Sequence, residues 1–154
     1  MLGTVGEQNR MDGTVISDAV NLAARIEGMS KFYGASLLIS ESTYNRLENP
    51  LAYSIRPLDH IIVKGKSEPV TVYEVFDCDD QEIRIKKRET MGDFQDGIIA
   101  YSVGKIDRAA SLFKKVQAAN PADVTAALYI ERCVQLKESG LPQDWRGVFE
   151  MREK

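Results

Sequence analysis

The stretch "ISDAVNLAARIEG", residues Ile16 to Gly28, sets an apolar stripe beside two side chains that do not belong to it. At about 100° per residue, Ala19, Leu22, Ala23, Ile26 and Met29 gather within about 120°, the width of a core-facing helical stripe. Asp18, Asn21 and Arg25 fall within about 60° of one another on its flank. Asn21 and Arg25 are one turn apart, so their side chains enter the same volume. Arg presents a planar fork of five donors suited to phosphate oxygens, and Asn an amide that donates or accepts. The same spacing also suits Asp18 paired with Arg25 along an exposed helix, a contribution of roughly a few tenths of a kcal/mol. Spacing alone leaves both open.

Outward from this helix, expected over about Ser17 to Met29, the first half of the chain alternates short strand-like and helical runs. "LGTVG" reads as the end of a strand and "GTVIS" as a brief extended segment. "ASLLIS" reads as a buried strand, and "ESTYNRL" as a short helix with Ser42 near its N-cap. "HIIVKGKSEPVTVYEVF" predicts two strands around a turn: "TVYEVF" is β-branched and aromatic, and Lys64 to Pro69 carries turn chemistry. Helices mixed with antiparallel strands indicate an α+β layer.

From about Asp79 the period becomes 3.6 and strand signals stop. The charged run "CDDQEIRIKKRE" reads as a linker helix or solvated connection. Phe94, Ile98 and Tyr101 share one helical face, and Gly104 can end that helix. Asp107 can begin the next, whose stripe is Ala109, Ala110, Phe113 and Val116. Asn120-Pro121 stops it, and "ADVTAALYIERCVQLKESG" supplies a third. Gly97, Ala109, Phe113 and Pro121 fall in the register of a tetratricopeptide unit, where small residues let two helices approach closely. One such unit cannot bury its apolar face alone. A generic helical hairpin fits the same four positions.

The chain's 154 residues suffice for one medium domain or two very small ones. With 44% hydrophobic and 28% charged residues and only 5 Pro, no long disordered tract is expected. A net charge of -3 without a basic stripe argues against nucleic acid as a partner. No run of about 18 apolar residues and no signal-peptide pattern occurs, so no membrane span is expected. Cys78 and Cys133, distant and without a CxxC pattern, are expected to be reduced, buried thiols of a cytoplasmic protein. His60, the single histidine, is expected to be structural.

"GTVGEQNRMDGTVISDAVNLAARIEGMSKFYGASLLIS", followed by "VKGKSEPVTVYEVF", resembles the C-terminal half of a class III adenylate/guanylate cyclase catalytic domain. "TVISDAVNLAAR" reproduces the family's T-V-x-G-D-x-V-N-x-A-A-R signature with one departure, Ser17 in place of Gly. Ser is a good N-cap, so the helix start survives, but a backbone needing φ > 0 there would be strained. The resemblance covers residues 1–78, and residues 79–154 are similar to the helical tail that some bacterial cyclases carry. It implies a partial ferredoxin-like nucleotide cyclase domain followed by a tetratricopeptide-like helical hairpin.

The resemblance also implies roles. Asn21 matches the asparagine that orients the ribose. Arg25 matches the arginine that stabilises charge on the phosphates while the ribose 3'-oxygen attacks the α-phosphate and pyrophosphate leaves. Thr14 matches the position that reads the purine edge, and Lys64 a lysine near the terminal phosphates, with Lys66 close enough to leave that register open. The substrate implied is ATP or GTP.

In the family, Mg or Mn ions are held by two aspartates on the N-terminal half of the domain. Asp12 and Asp18 belong to the surviving signature and do not match them. Two-metal catalysis needs those carboxylates, so the chain alone is expected to be inactive. Family sites form between two catalytic domains, which makes a homodimer or a second cyclase domain the expected partner. The alternative expectation is a non-catalytic scaffold using the helical tail and an unpaired sheet edge. An upstream membrane anchor in a longer parent is compatible with either.

Overall fold

The computed structural model describes residues 20–63 and 67–150. Helix α1, residues 20–27, is followed by a turn at Gly28 and Met29 and a short helix α2, Ser30–Tyr33. The expected single helix to Met29 is thus corrected at its end: Met29 N–H bonds to the Ile26 carbonyl at 3.0 Å and turns the chain. Ile26, Met29 and Tyr33 are buried, and Leu22 packs half-buried against them. Ala23, expected in the stripe, is exposed.

Strand β1, Leu38–Ser40, leads into helix α3, Glu41–Asn45. Ser40 is the cap, not Ser42: its hydroxyl accepts from Thr43 N–H at 3.1 Å, satisfying one of the donors a helix start leaves open. A 3₁₀ turn, Pro50–Ala52, precedes strand β2, Ile55–Ile62, which pairs antiparallel with β3, Val70–Val75. The expected hairpin is present, but β2 starts five residues earlier than "HIIV" indicated. Pro57 and the charged Arg56 and Asp59 concealed the strand.

The sheet order is β1-β3-β2-β4, with β4, Phe149–Glu150, parallel to β2. The expected open edge needs correction along Ile61 and Ile62, which pair with Phe149 and Glu150.

Four helices lie between β3 and β4 in the chain: α4, Gln81–Glu89; α5, Met91–Ser102; α6, Ile106–Ala119; and α7, Val124–Ser139. Connections of a few residues make α5, α6 and α7 packed neighbours. Gly97 makes the α5–α6 approach possible, because a Cβ there would meet the Phe113 ring at 2.9 Å. Phe94 meets Phe113 edge to face at 5.5 Å, and Phe113 stacks on Tyr129 at 4.5 Å. This aromatic layer belongs to one core with Leu58, Ile61 and Val72 of the sheet. Among the described residues no helix is long and apolar enough to cross a membrane.

Candidate functional site

Asn21 and Arg25 are both exposed on α1, one turn apart on the side away from buried Ile26. The structure therefore brings this pair together on the helix surface. Thr14, Lys64 and Lys66 lie outside the described residues, as do Asp12, Ser17, Asp18 and the two expected extended segments before α1.

The turn after α1 leads to Tyr33, which is tied to the sheet and to α7. Tyr33, at the end of α2, donates from its hydroxyl to Asp59 Oδ2 at 2.6 Å. Thr125 of α7 donates to the Tyr33 carbonyl at 2.9 Å. Arg132, two turns further along α7, grips both oxygens of Asp59 at 3.1 and 2.8 Å. Tyr129 donates to the Leu58 carbonyl at 2.6 Å and to Asp59 Oδ1 at 3.1 Å. Burial, reinforced by the Asp59 charge, pushes the Tyr33 and Tyr129 hydroxyls well above the usual phenol range. They are neutral donors at any physiological pH. Burial alone would lower the Arg132 guanidinium, but the Asp59 hydrogen bonds and charge outweigh it and raise it.

A second buried network ties the sheet to α4 and the start of α7. Arg56 Nε donates to Glu74 at 2.7 Å, and its two terminal nitrogens donate to Asp123 at 2.9 and 3.2 Å. Lys87 bridges Glu74 and Asp79. The Arg56 guanidinium also lies 4.0 Å above the Phe94 ring. Burial opposes the charge on Arg56, yet Asp123 and Glu74 raise it overall. Burial likewise opposes the Asp79 carboxylate, while hydrogen bonds from Lys87 and Ser36 hold it below its ordinary value.

Sequence reasoning missed both networks, because a charge in a strand or helix normally marks a solvated face. "CDDQEIRIKKRE" is corrected accordingly: its Lys87 is buried by the two carboxylates it joins. The one available signal was the Asp59 and Arg56 pair inside an otherwise apolar run. Cys78 is also corrected, being exposed; Cys133 is buried. His60 sits half-buried with Nδ1 3.2 Å from the Thr71 hydroxyl.

The described residues do not fit a metal ion. Among them no group of three or more His, Cys, Asp or Glu is placed to hold one. The buried carboxylates Asp59, Glu74 and Asp123 are instead taken by arginine or lysine. A guanidinium fork one turn from an amide is a donor set whose chemistry suits an anion beside a hydroxyl.

No family model matches the chain, and no solved structure matches it. Three curated relatives are all named adenylate cyclase. The terminal-differentiation-specific adenylate cyclase of Dictyostelium discoideum is 36% identical over 136 residues, covering 88% of this chain and 6% of that protein. The adenylate cyclase of Anabaena cylindrica is 50% identical over 76 residues, covering 49% of this chain and 15% of that protein. Adenylate cyclase 1 of Rhizobium meliloti is 37% identical over 75 residues, covering 49% and 11%. The chain therefore spans between 6% and 15% of the length of these relatives. Along half to most of its own length, it is similar to short parts of much longer adenylate cyclases.

Proposed function

We propose that this chain supplies one wall of a class III nucleotide cyclase site, acting on ATP in intracellular signalling in the cytoplasm. The observation that carries the reading is the exposed Asn21/Arg25 pair, presented on a helix whose opposite side is locked into the core. The curated relatives named adenylate cyclase support it.

In this reading Arg25 places its guanidinium against the phosphates as negative charge builds on the leaving pyrophosphate. Asn21 holds the ribose so that its 3'-oxygen lines up with the α-phosphate. Both act by preorganised positioning and charge, and removal of one such group costs about 100- to 1,000-fold in rate. Thr14 reads the purine edge and Lys64 neutralises the terminal phosphates. The Mg or Mn ligands would come from a second cyclase domain that keeps its metal aspartates, and the ions held there would supply the cation charge the reaction needs. Residues 1–78 form the cyclase part, and residues 79–154 a tetratricopeptide-like tail.

The test mixes this chain with a class III domain that keeps its metal aspartates but has its own Asn and Arg replaced. The expected result is cyclic AMP formation above that of the partner alone, lost again with Arg25→Ala. A mixture no more active than the partner ends the proposal.

A second reading, a non-catalytic association module, is favoured by one observation: Gly97 packed against Phe113, the close helix approach of a repeat unit. It gains if the mixture is inactive while the intact chain still forms a defined complex with that partner by analytical ultracentrifugation.

A further inference from the structure

Helices α6 and α7 leave a groove of about 540 Å³ along their seam. Its floor is apolar, built from Ala110 and Ala118 of α6 and from Ile130, Cys133 and Val134 of α7. Val134 is 49% exposed and follows Ile130 by one turn, so the two form a ridge along the groove. The walls are basic: Lys114, Lys115 and Lys137 stand against one carboxylate, Asp107. Asp107 is taken by Lys137 at 2.7 Å, while Lys114 and Lys115 make no ion pair among the described residues. Three lysines less one aspartate leave two positive charges here, in a chain whose net charge is -3. The described residues after α7 do not cover the seam. The Trp145 indole donates to the Tyr101 carbonyl of α5 at 2.7 Å, β4 pairs with β2, and none of residues 141–150 lines the groove.

We propose that this groove docks an acidic amphipathic helix of a partner protein. Charge complementarity selects the acid: aspartates or glutamates beside the helix's apolar edge would meet Lys114 and Lys115, which have no carboxylate of their own. The floor selects an apolar edge, and with alanines on one side it gives a phosphate backbone nothing to pack against. Helical form follows from the backbone. Both walls are helices whose N–H and C=O groups are bonded within themselves, so an extended peptide would find no ladder to join. A helix brings its own bonds and presents apolar anchors at i, i+4 and i+7. From Asp107 to Ala118 the groove follows α6 for about 17 Å, about three helical turns, which admits two or three such anchors. Neither Asn21 nor Arg25 lines the groove, so it goes beyond the cyclase reading, and a failed peptide titration leaves the complementation assay untouched.

The probe is a labelled helical peptide with Leu at i, i+4 and i+7 and Glu at the flanking positions, titrated into the full chain by fluorescence anisotropy. Saturable binding is expected, weakened by added salt. A peptide with the same leucines and Lys in place of Glu is expected to bind about tenfold or more weakly. The double variant Lys114→Glu with Lys115→Glu is expected to reverse that order, with the thermal midpoint as the folding control, since both side chains are exposed. In a proton–nitrogen spectrum the acidic peptide is expected to move the amides of Ala110, Ala118, Ile130 and Val134. Absent saturation overturns the proposal, as does equal affinity for the two peptides or an order that survives the double variant. Shifts confined to other elements overturn it too. Tighter binding of an oligothymidylate than of the acidic peptide gives the lysines to a nucleic acid instead. Shifts of the same amides with protein concentration alone give the groove to a second copy of the chain, and either result overturns the assigned partner.

Discussion

Arg132 of α7 closes a two-point pair on Asp59 of β2, with both partners almost wholly buried. Seventy-three positions separate them in the chain. Asp59 can face inward because β2 carries a bulge between Pro57 and Asp59, which leaves consecutive Leu58 and Asp59 both buried. Breaking a buried pair by removing one partner leaves an uncompensated charge and typically costs about 3–5 kcal/mol. Arg132→Ala should lower the urea midpoint accordingly, with an unchanged slope showing that stability alone is affected. The double variant Asp59→Leu with Arg132→Met should recover much of the loss, since no buried charge is then stranded.

The same logic applies to residues 1–78 expressed alone. Asp59 would lose Arg132, Glu74 would lose Lys87, and Arg56 would lose Asp123. This piece is expected to show no cooperative thermal transition by circular dichroism, whereas the full chain shows one. A sharp transition in residues 1–78 would show that the sheet tolerates those charges without the helices.

Gly97→Ala places a Cβ 2.9 Å from the buried Phe113 ring, with no room for the ring to retreat from Tyr129. Overpacking of this kind costs about 1–3 kcal/mol. Gly92→Ala on the same helix meets nothing within 4 Å and should be neutral or stabilising by up to about 1 kcal/mol. Paired chemical denaturation curves measure both.

The two cysteines should differ in reactivity. Cys78 is exposed, while burial pushes the Cys133 thiol up to about 11. A thiol reagent at pH 8 should therefore modify one group per chain quickly, and mass spectrometry should place it on Cys78. The thiolate is the reacting form, so Cys133 should react only on unfolding.

Acid stability should report Asp79. Its carboxyl is held below the ordinary value, so the folded state binds its proton less readily than the unfolded state. Its contribution is complete above the unfolded value of about 3.9 and is lost as pH falls through the depressed folded value. Asp79→Asn should lower the urea midpoint at pH 7, and its difference from the unmodified chain should shrink as pH drops below about 4.

Asn21→Ala, on an exposed position of α1, should change stability by no more than about 0.5 kcal/mol. Its effect belongs to the complementation assay, where a rate loss without a shift in thermal midpoint separates chemistry from folding.

Much of the architecture was legible in the residues. The period-2 and period-3.6 runs gave the hairpin and the helices after Asp79, and the 14–25 signature gave the pair on α1. Strand β2 was misjudged at its start because Pro57, Arg56 and Asp59 all argue against a buried strand taken singly. The cap at Ser40, the exposed Cys78 and the buried Lys87 were equally out of reach.

The sequence by itself determined where helices and strands form and which face of α1 bears Asn21 and Arg25. Those properties depend on neighbours three or four positions away, and local spacing contains them. Only the tertiary structure decided that Arg56, Asp59, Glu74, Lys87, Asp123 and Arg132 are interior groups. A charge is stable inside only when an opposite charge arrives from elsewhere in the fold. Here those partners come from other elements, up to 73 positions away.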